Sequence, residues 1–365
     1  MRSGLTTGTC AAAAVKAAML ACQNSLVKEV SVTSPQGKKL LVPISKMQKT
    51  AEGGMAEVIK DAGDDPDITH GATVSASVTI TTSSEIIIKA GKGVGIVTKP
   101  GLSVPVGAPA INPGPRKMIM QALTELLPSG MGCIITISIP AGEELAKRTL
   151  NPSLGIEGGL SIIGTTGIVD PMSEEAFKNS LAPQISMVKA LGYRQIVFAP
   201  GKIGQDIAIN QCKLPKDAVI QTSNFIGYML EKAVEYDMKK VLLFGHLGKL
   251  AKIAAGVFHT HNRMADGRLE TIAAYMAAEG ASQDTIKQIL ACTTTEAAMS
   301  IITATNFQHI YNILANRASL RAMKYVFNNL QIGTVIVTLQ GEILGFDSHA
   351  QEIGGGLGWN IKSLL

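Results

Sequence analysis

The chain has 365 residues, of which 46% are hydrophobic, 17% charged and 4% aromatic, with a formal net charge of +5. Two domains with aliphatic cores fit that length, and so few rings argue against a stacking platform for single-stranded nucleic acid. The positive balance contains no long Lys/Arg run, so a polyanionic small molecule is favoured over a nucleic acid as partner.

The chain begins RSGLTTGTC and continues into the alanine-rich run Ala11–Cys22. That run can be read as a signal peptide with a Met-Leu-Ala-Cys box at 19–22. Lys16 interrupts it, however, and alanine is barely apolar enough for an h-region. We read it as a mature helix capped by Thr9, and the chain as cytoplasmic. No run of ~18 apolar residues occurs elsewhere, so no membrane span is expected. The five cysteines, Cys10, Cys22, Cys133, Cys212 and Cys292, form no Cys-x-x-Cys pair. Neither a disulfide framework nor a zinc ribbon is written here, in keeping with a reducing compartment.

Val30 and Val32, a turn at 35–38 and Leu40–Ile44 predict a hairpin. Val74, Ala76, Val78 and Ile80 alternate as a half-buried strand does. Glu85–Ala90 and Cys133–Ile139 are further strands, and Pro115 opens a helix that ends near Leu127 before Pro128. We assign residues 1–154 to an α+β domain.

The segment TLNPSLGIEGGLSIIGTTGIVDPMS, residues 149–173, carries five glycines around the apolar run Leu160–Ile163. A buried strand running into Gly-Thr-Thr-Gly suits a binding loop at the carboxyl edge of a sheet. A glycine-rich linker is the alternative. Residues 155–365 then alternate strand and helix: a helix over Ser173–Leu191, strands at Gln195–Ala199, Asp217–Thr222 and Val241–Gly245, and helices through Tyr236 and from Lys249. This rhythm predicts an α/β/α domain with a mostly parallel, doubly wound sheet. A hairpin, Thr334–Leu339 with Glu342–Phe346, follows. The glycines at 354–358 read as a mobile end.

Several clusters carry candidate chemistry. Thr6, Thr7 and Gly8 precede a helix, where free N–H groups favour an anion; simple capping explains them equally well. Asp61–Gly71 gathers Asp61, Asp64, Asp65, Asp67 and His70. Its spacing is not that of a calcium loop, and crowded carboxylates call for a cation, a sulfonium or ribose hydroxyls, unless the segment is a solvated acidic turn. Gly91-x-Gly93-x-Gly95 opens no helix and is therefore not a dinucleotide fingerprint; Lys99 beyond it can face a ligand. Arg116 opposes a helix dipole, which is explained if it grips a carboxylate or simply faces solvent. Gly245-His246 and Gly248-Lys249 lie at a strand's carboxyl end without Walker spacing. His259-x-His261 lacks a third adjacent metal ligand, and no protein-bound metal is assigned. Asp266, Arg268 and Glu270 add charge beyond it.

Taken together, RSGLTTGTCAAAA, DAGDDPDITHG, GVGIVTKPGL, AINPGPR, TLNPSLGIEGGLSIIGTTGIVDPMS and GHLGKLAKIAAGVFHTH resemble, in order, the signature blocks of the CbiD family of cobalamin biosynthesis. Leu5 departs from the family, which often carries an aromatic residue there. The resemblance implies an α+β N-terminal domain and a Rossmann-like C-terminal domain. It implies methyl transfer from S-adenosylmethionine to ring carbon 1 of cobalt-precorrin-5B, giving cobalt-precorrin-6A, with cobalt carried by the substrate. Donor and acceptor would then need mainly alignment, and proximity can supply ~7–11 kcal/mol.

On that reading Thr6, Thr7, Gly8, Asp64, Asp65, Gly164, Thr165, Thr166, Gly167 and Gly245 are candidates for the donor site. Arg116, Lys249 and Arg268 would pair with substrate carboxylates. His246, His259 and His70 would accept any proton that must leave. A homo-oligomer is compatible with the sequence. The rival readings are a non-catalytic corrinoid-binding or handover protein, and a metal-dependent hydrolase built on Asp64, Asp65, Asp67 and the His259-x-His261 pair.

Overall fold

The computed structural model describes residues 1–361 as a mixed α/β chain. Contacts divide it into two compact units, Met1–Glu175 and Ala176–Leu365.

In the first unit the alanine-rich run forms the helix Thr7–Cys22, with 13 of its residues buried. A helix that is apolar almost all round belongs inside a core. Small side chains let it lie close on the sheet: a Cβ at Gly54 would stand 2.0 Å from the Ala18 carbonyl oxygen. Its cap is Thr6 rather than the expected Thr9. The Thr6 hydroxyl accepts from the Thr9 N–H at 3.2 Å, so the helix starts one turn earlier. Beneath the helix the strands run in the order Lys46–Thr50, Gly53–Ile59, Thr73–Thr81, Gly132–Ser138, Ile86–Ala90, antiparallel except for the last pair. The expected hairpin forms as Glu29–Thr33 with Lys39–Pro43, and the helix Pro113–Thr124 lies against Thr7–Cys22.

The division falls at 175/176, whereas the sequence reading set it at 154/155. The intervening segment is stitched to earlier strands of the same unit. Ile156–Glu157 pairs with Ile96–Val97, Gly159–Leu160 with Gly93–Val94, and Ile168–Val169 with Gly4–Leu5. Of the expected strand over 160–163 only Leu160 is regular, in Gly159–Leu160; Ile162 makes an isolated bridge to Ile111.

The second unit holds a five-stranded sheet ordered Val219–Gln221, Gln195–Ala199, Lys240–His246, Gln331–Val337, Ile343–Phe346. The first four strands are parallel and the last is antiparallel. Strands buried on both faces read as unbroken apolar runs, as Val241–Phe244 does. The order reverses between Gln195–Ala199 and Lys240–His246. The chain steps outward after the first of these strands and returns across it to reach the second. Pro183 starts a new turn and splits the expected helix over 173–191 into Glu174–Leu181 and Pro183–Ala190.

The glycines at 354–358 are not a mobile end. Ser348–Gly356 is helical and is capped by Asp347, which accepts from the Ala350 N–H at 2.7 Å; Ile353 and Gly354 are buried. Glycine permits the packing there, since a Cβ at Gly356 would fall 2.4 Å from the Gln195 amide nitrogen. Among the described residues no helix is long and apolar enough to cross a membrane.

Candidate functional site

In the first unit the two Thr-Thr-Gly segments meet. The Gly8 N–H donates to the Ile163 carbonyl at 2.9 Å and the Thr6 N–H to that of Gly167 at 3.2 Å. The Thr7 hydroxyl accepts from the Ile163 N–H at 2.9 Å, and the Thr9 hydroxyl donates to the Gly167 carbonyl at 2.6 Å. Gly164 has φ +139°, and a Cβ there would lie 2.3 Å from the Thr6 hydroxyl oxygen. The hydroxyls of Thr6 and Thr7 are therefore spent within the protein, as the capping alternative for this segment has it. The Thr166 hydroxyl is likewise turned inward, donating to the Ile168 carbonyl at 2.8 Å. Thr165 is exposed.

The acidic loop is tied to the chain's start. Arg2 forks onto Asp61 at 2.5 and 2.9 Å, and this hydrogen bonding holds the Asp61 carboxyl down at about 2. Asp64 accepts from the Arg2 N–H at 2.6 Å, and Asp65 from the Met172 N–H at 2.8 Å. Lys60, 1% exposed, reaches Asp67 at 2.6 Å. Burial alone would raise the Asp67 carboxyl, but the Lys60 ammonium and two donors from Thr69 outweigh it and lower it. All four carboxylates thus have protein donors. His70 is exposed, and its Nδ1 stands 3.1 Å from the Ala62 N–H as acceptor. Arg116 is exposed in the first turn of Pro113–Thr124. That helix start also touches the glycine segment: a Cβ at Gly114 would be 3.0 Å from the Gly164 carbonyl.

In the second unit the strand Lys240–His246 delivers Gly245 and His246 to the carboxyl edge. His246 caps the helix Leu247–Ala254, its Nδ1 accepting from the Gly248 N–H at 3.2 Å. The neutral ring then carries its proton at Nε2, which lies 3.1 Å from Glu296 without hydrogen-bond alignment. The lone pair a general base would use is committed to the cap, and the same holds for His70. His259 packs its ring on Phe225 at 5.1 Å.

Lys249 donates to Asn224 Oδ1 at 2.6 Å and to the Thr260 carbonyl at 3.3 Å. Burial, helped by neighbouring Lys252 and Arg268, lowers its pKa. Arg268 forks onto Asp266, both contacts at 2.7 Å. Among the described residues no group of three or more His, Cys, Asp or Glu side chains is placed to hold a metal ion. Burial raises the Cys10 and Cys212 thiols to about 12 and about 11, far from nucleophilic range.

Burial also lowers the His246 pKa below 6.5, with Glu296 opposing. The unfolded chain therefore takes up this proton first as pH falls, so the stability contributed by the neutral ring declines from about pH 6.5 downward. Urea unfolding of wild type and His246→Asn at about pH 7.5 and about pH 5.5 checks this. Asparagine keeps the cap acceptor, so the variant should lose part of the pH dependence.

Sequence reasoning missed three residues here. Lys252, 1% exposed, donates to the Thr260 carbonyl, Asn262 Oδ1 and the Ala265 carbonyl at 3.3, 2.7 and 2.9 Å. Its spacing of three from Lys249 on a helix was the available signal. Asn224, the partner of Lys249, and Thr222, whose buried hydroxyl has no hydrogen-bond partner, sit just past a strand end in a segment without glycine to mark it.

The CbiD family model matches residues 1–171, and that of the CbiD C-terminal domain residues 259–348. A cobalt-precorrin-5B C(1)-methyltransferase from Moorella thermoacetica is 51% identical, covering 99% of both chains. Proteins of the same name from Desulfitobacterium hafniense and Methanocaldococcus jannaschii are 45% and 44% identical, covering 97% and 94% of this chain and 92% and 95% of theirs. The crystal structure of the cobalamin biosynthesis protein (cbiD) from Archaeoglobus fulgidus is 28% identical, with a TM-score of 0.40, over 73% of this chain and 83% of that one. With half of its residues shared end to end with such a relative, the chain belongs to the CbiD family.

Proposed function

We propose that this protein is an S-adenosylmethionine-dependent C-methyltransferase acting on ring carbon 1 of cobalt-precorrin-5B in cobalamin biosynthesis. The observation that carries the reading is the 51% identity, over 99% of both chains, with a relative of that name. S-adenosylmethionine, when bound, offers an electrophilic methyl group on a sulfonium.

The second unit has features that suit such a donor, and we read its sheet as Rossmann-like and doubly wound. A sheet of that kind would bind its ligand at the reversal point, beside Gly201, where the space a side chain would take is open. The Thr222 hydroxyl, buried without a partner, follows the neighbouring strand and is suited to a polar ligand atom. Gly201, Thr222 and Gly245 would hold the donor there. In the first unit Arg116 and Thr165 are both exposed and can meet a ligand, while Thr6, Thr7, Gly8, Gly164 and Gly167 keep the loop's shape. Because His246 and His70 spend Nδ1 on backbone N–H groups, the chain's main contribution is alignment of the two reactants and exclusion of water, not proton abstraction by these rings.

The test is incubation with S-adenosylmethionine and enzymatically made cobalt-precorrin-5B. One methyl group should be gained per S-adenosylhomocysteine formed. Corrinoid binding without methyl transfer would favour a handover protein. Thr165→Ala with Thr166→Val should weaken ligand binding while the chain stays folded; unchanged affinity and turnover would remove Thr165 from the site.

A further inference from the structure

Charge is distributed unevenly in the second unit. The helix Ile310–Tyr325 carries Arg317, Arg321 and Lys324 and no acid. The helix Leu247–Ala254, which packs against it, carries Lys249 and Lys252 and no acid. Five cations thus share two helices that contain no carboxylate.

Arg317 and Arg321 are four residues apart, so they stand on one helix face, where like charges repel. Both are half-buried. Their Nε atoms are shut off from water and have no hydrogen-bond partner. Among the described residues neither guanidinium makes an ion pair. The acids of adjoining helices are taken or distant: Glu231 accepts from Tyr325 at 2.8 Å and Glu235 from Lys232 at 2.6 Å, while Glu270 is exposed and reaches neither arginine. Arg321 lies near the end of Leu247–Ala254, its Cδ and Nη1 3.9 Å from where a Cβ on Gly256 would be. Withdrawn, unpaired guanidinium forks are built to take planar oxyanions two bonds at a time.

We infer that Arg317 and Arg321 form a carboxylate-binding site that receives an acidic arm of the corrinoid. This rests on the function proposed above and extends it to residues that neither the motifs nor the family blocks mark. The arginines bind and orient; they do no chemistry.

The experiment measures binding of two probes by quenching of intrinsic fluorescence: dicyanocobyrinic acid, whose arms are carboxylates, and dicyanocobinamide, whose corresponding arms are amides. Arg317→Gln with Arg321→Gln should weaken binding of the carboxylate probe about tenfold or more, the loss expected for one charge-assisted bond. It should leave the amide probe unaffected and should raise KM with little change in kcat. Lys324→Gln, an exposed charge on the same helix, should change none of these. Arg317→Lys with Arg321→Lys should recover only part of the loss, because the fork is absent; should the Gln pair not fold, this pair carries the comparison. Equal affinity for dicyanocobyrinic acid in wild type and variants, with a lowered Tm, would overturn the inference and leave Arg321 as a support for the helix end it covers. Failure of the wild-type protein to bind either probe would overturn the functional reading as well.

Discussion

Gly164→Ala is expected to destabilise the first unit by about 2–4 kcal/mol, read as a lowered urea midpoint at unchanged m. Two costs combine. A φ of +139° is rarely adopted by a residue with a side chain, and the new methyl would sit 2.3 Å from the Thr6 hydroxyl oxygen and 2.6 Å from Thr6 Cβ. Thr6 cannot yield without losing its hold on the Thr9 N–H and loosening the start of Thr7–Cys22, the helix on which the unit's core is built. Gly107→Ala provides the contrast. That glycine also has positive φ, but nothing stands within 4 Å of its would-be Cβ, so only the backbone strain of about 1 kcal/mol should appear. Equal losses at the two positions would show that the packing of the two Thr-Thr-Gly segments contributes nothing.

Lys252→Met should cost about 3 kcal/mol in the second unit and speed amide exchange across residues 257–266. Methionine matches the volume of the lysine stem, so cavity formation is not the cause. The cause is the loss of all three donors of a buried ammonium, each spent on a different acceptor of one loop: Thr260, Asn262 and Ala265. Charge-assisted bonds of this kind are individually worth more than neutral ones, and the Thr260 carbonyl, itself buried, would be left to Lys249 alone. Exchange confined to wild-type rates would show that the loop holds its shape without the ammonium.

Much of this architecture could be read from residue patterns, and the failures have physical causes. Alternation at Val74, Ala76, Val78 and Ile80 marked a strand because one face is buried and the other is not. The parallel sheet was legible from apolar runs followed by helices. The domain boundary was misplaced because glycine-rich text looks alike whether it links two units or lets two strands of one unit approach closely, as Gly159 does against Gly93. The helix at Ser348–Gly356 was missed because three glycines weaken local propensity, whereas packing against Trp359, Ile361 and Gln195 selects two of them, Gly354 and Gly356, for their size. At the candidate site the motifs were visible and the roles were not. Sequence shows that Thr6, Thr7, Asp64 and Asp65 lie in unusual company, but only the fold shows that their partners are backbone N–H groups of Thr9, Ile163, Arg2 and Met172. Arg317 and Arg321 stood in no motif, and Lys252, although inside the block at 245–261, carried no mark of its own, because the significance of all three lies in what surrounds them.

The pairing of Gly4–Leu5 with Ile168–Val169 joins residues more than 160 positions apart. During synthesis the opening strand therefore waits for its partner until almost the whole first unit has left the ribosome. Until then the Thr7–Cys22 helix lacks the carbonyls of Ile163 and Gly167 that meet its first turn. Contacts of such long range make folding slow relative to that of locally wired domains. The first unit is thus closed last by the residues made first, and its half-made chain, with an unfinished apolar helix, is the species most in need of protection from aggregation.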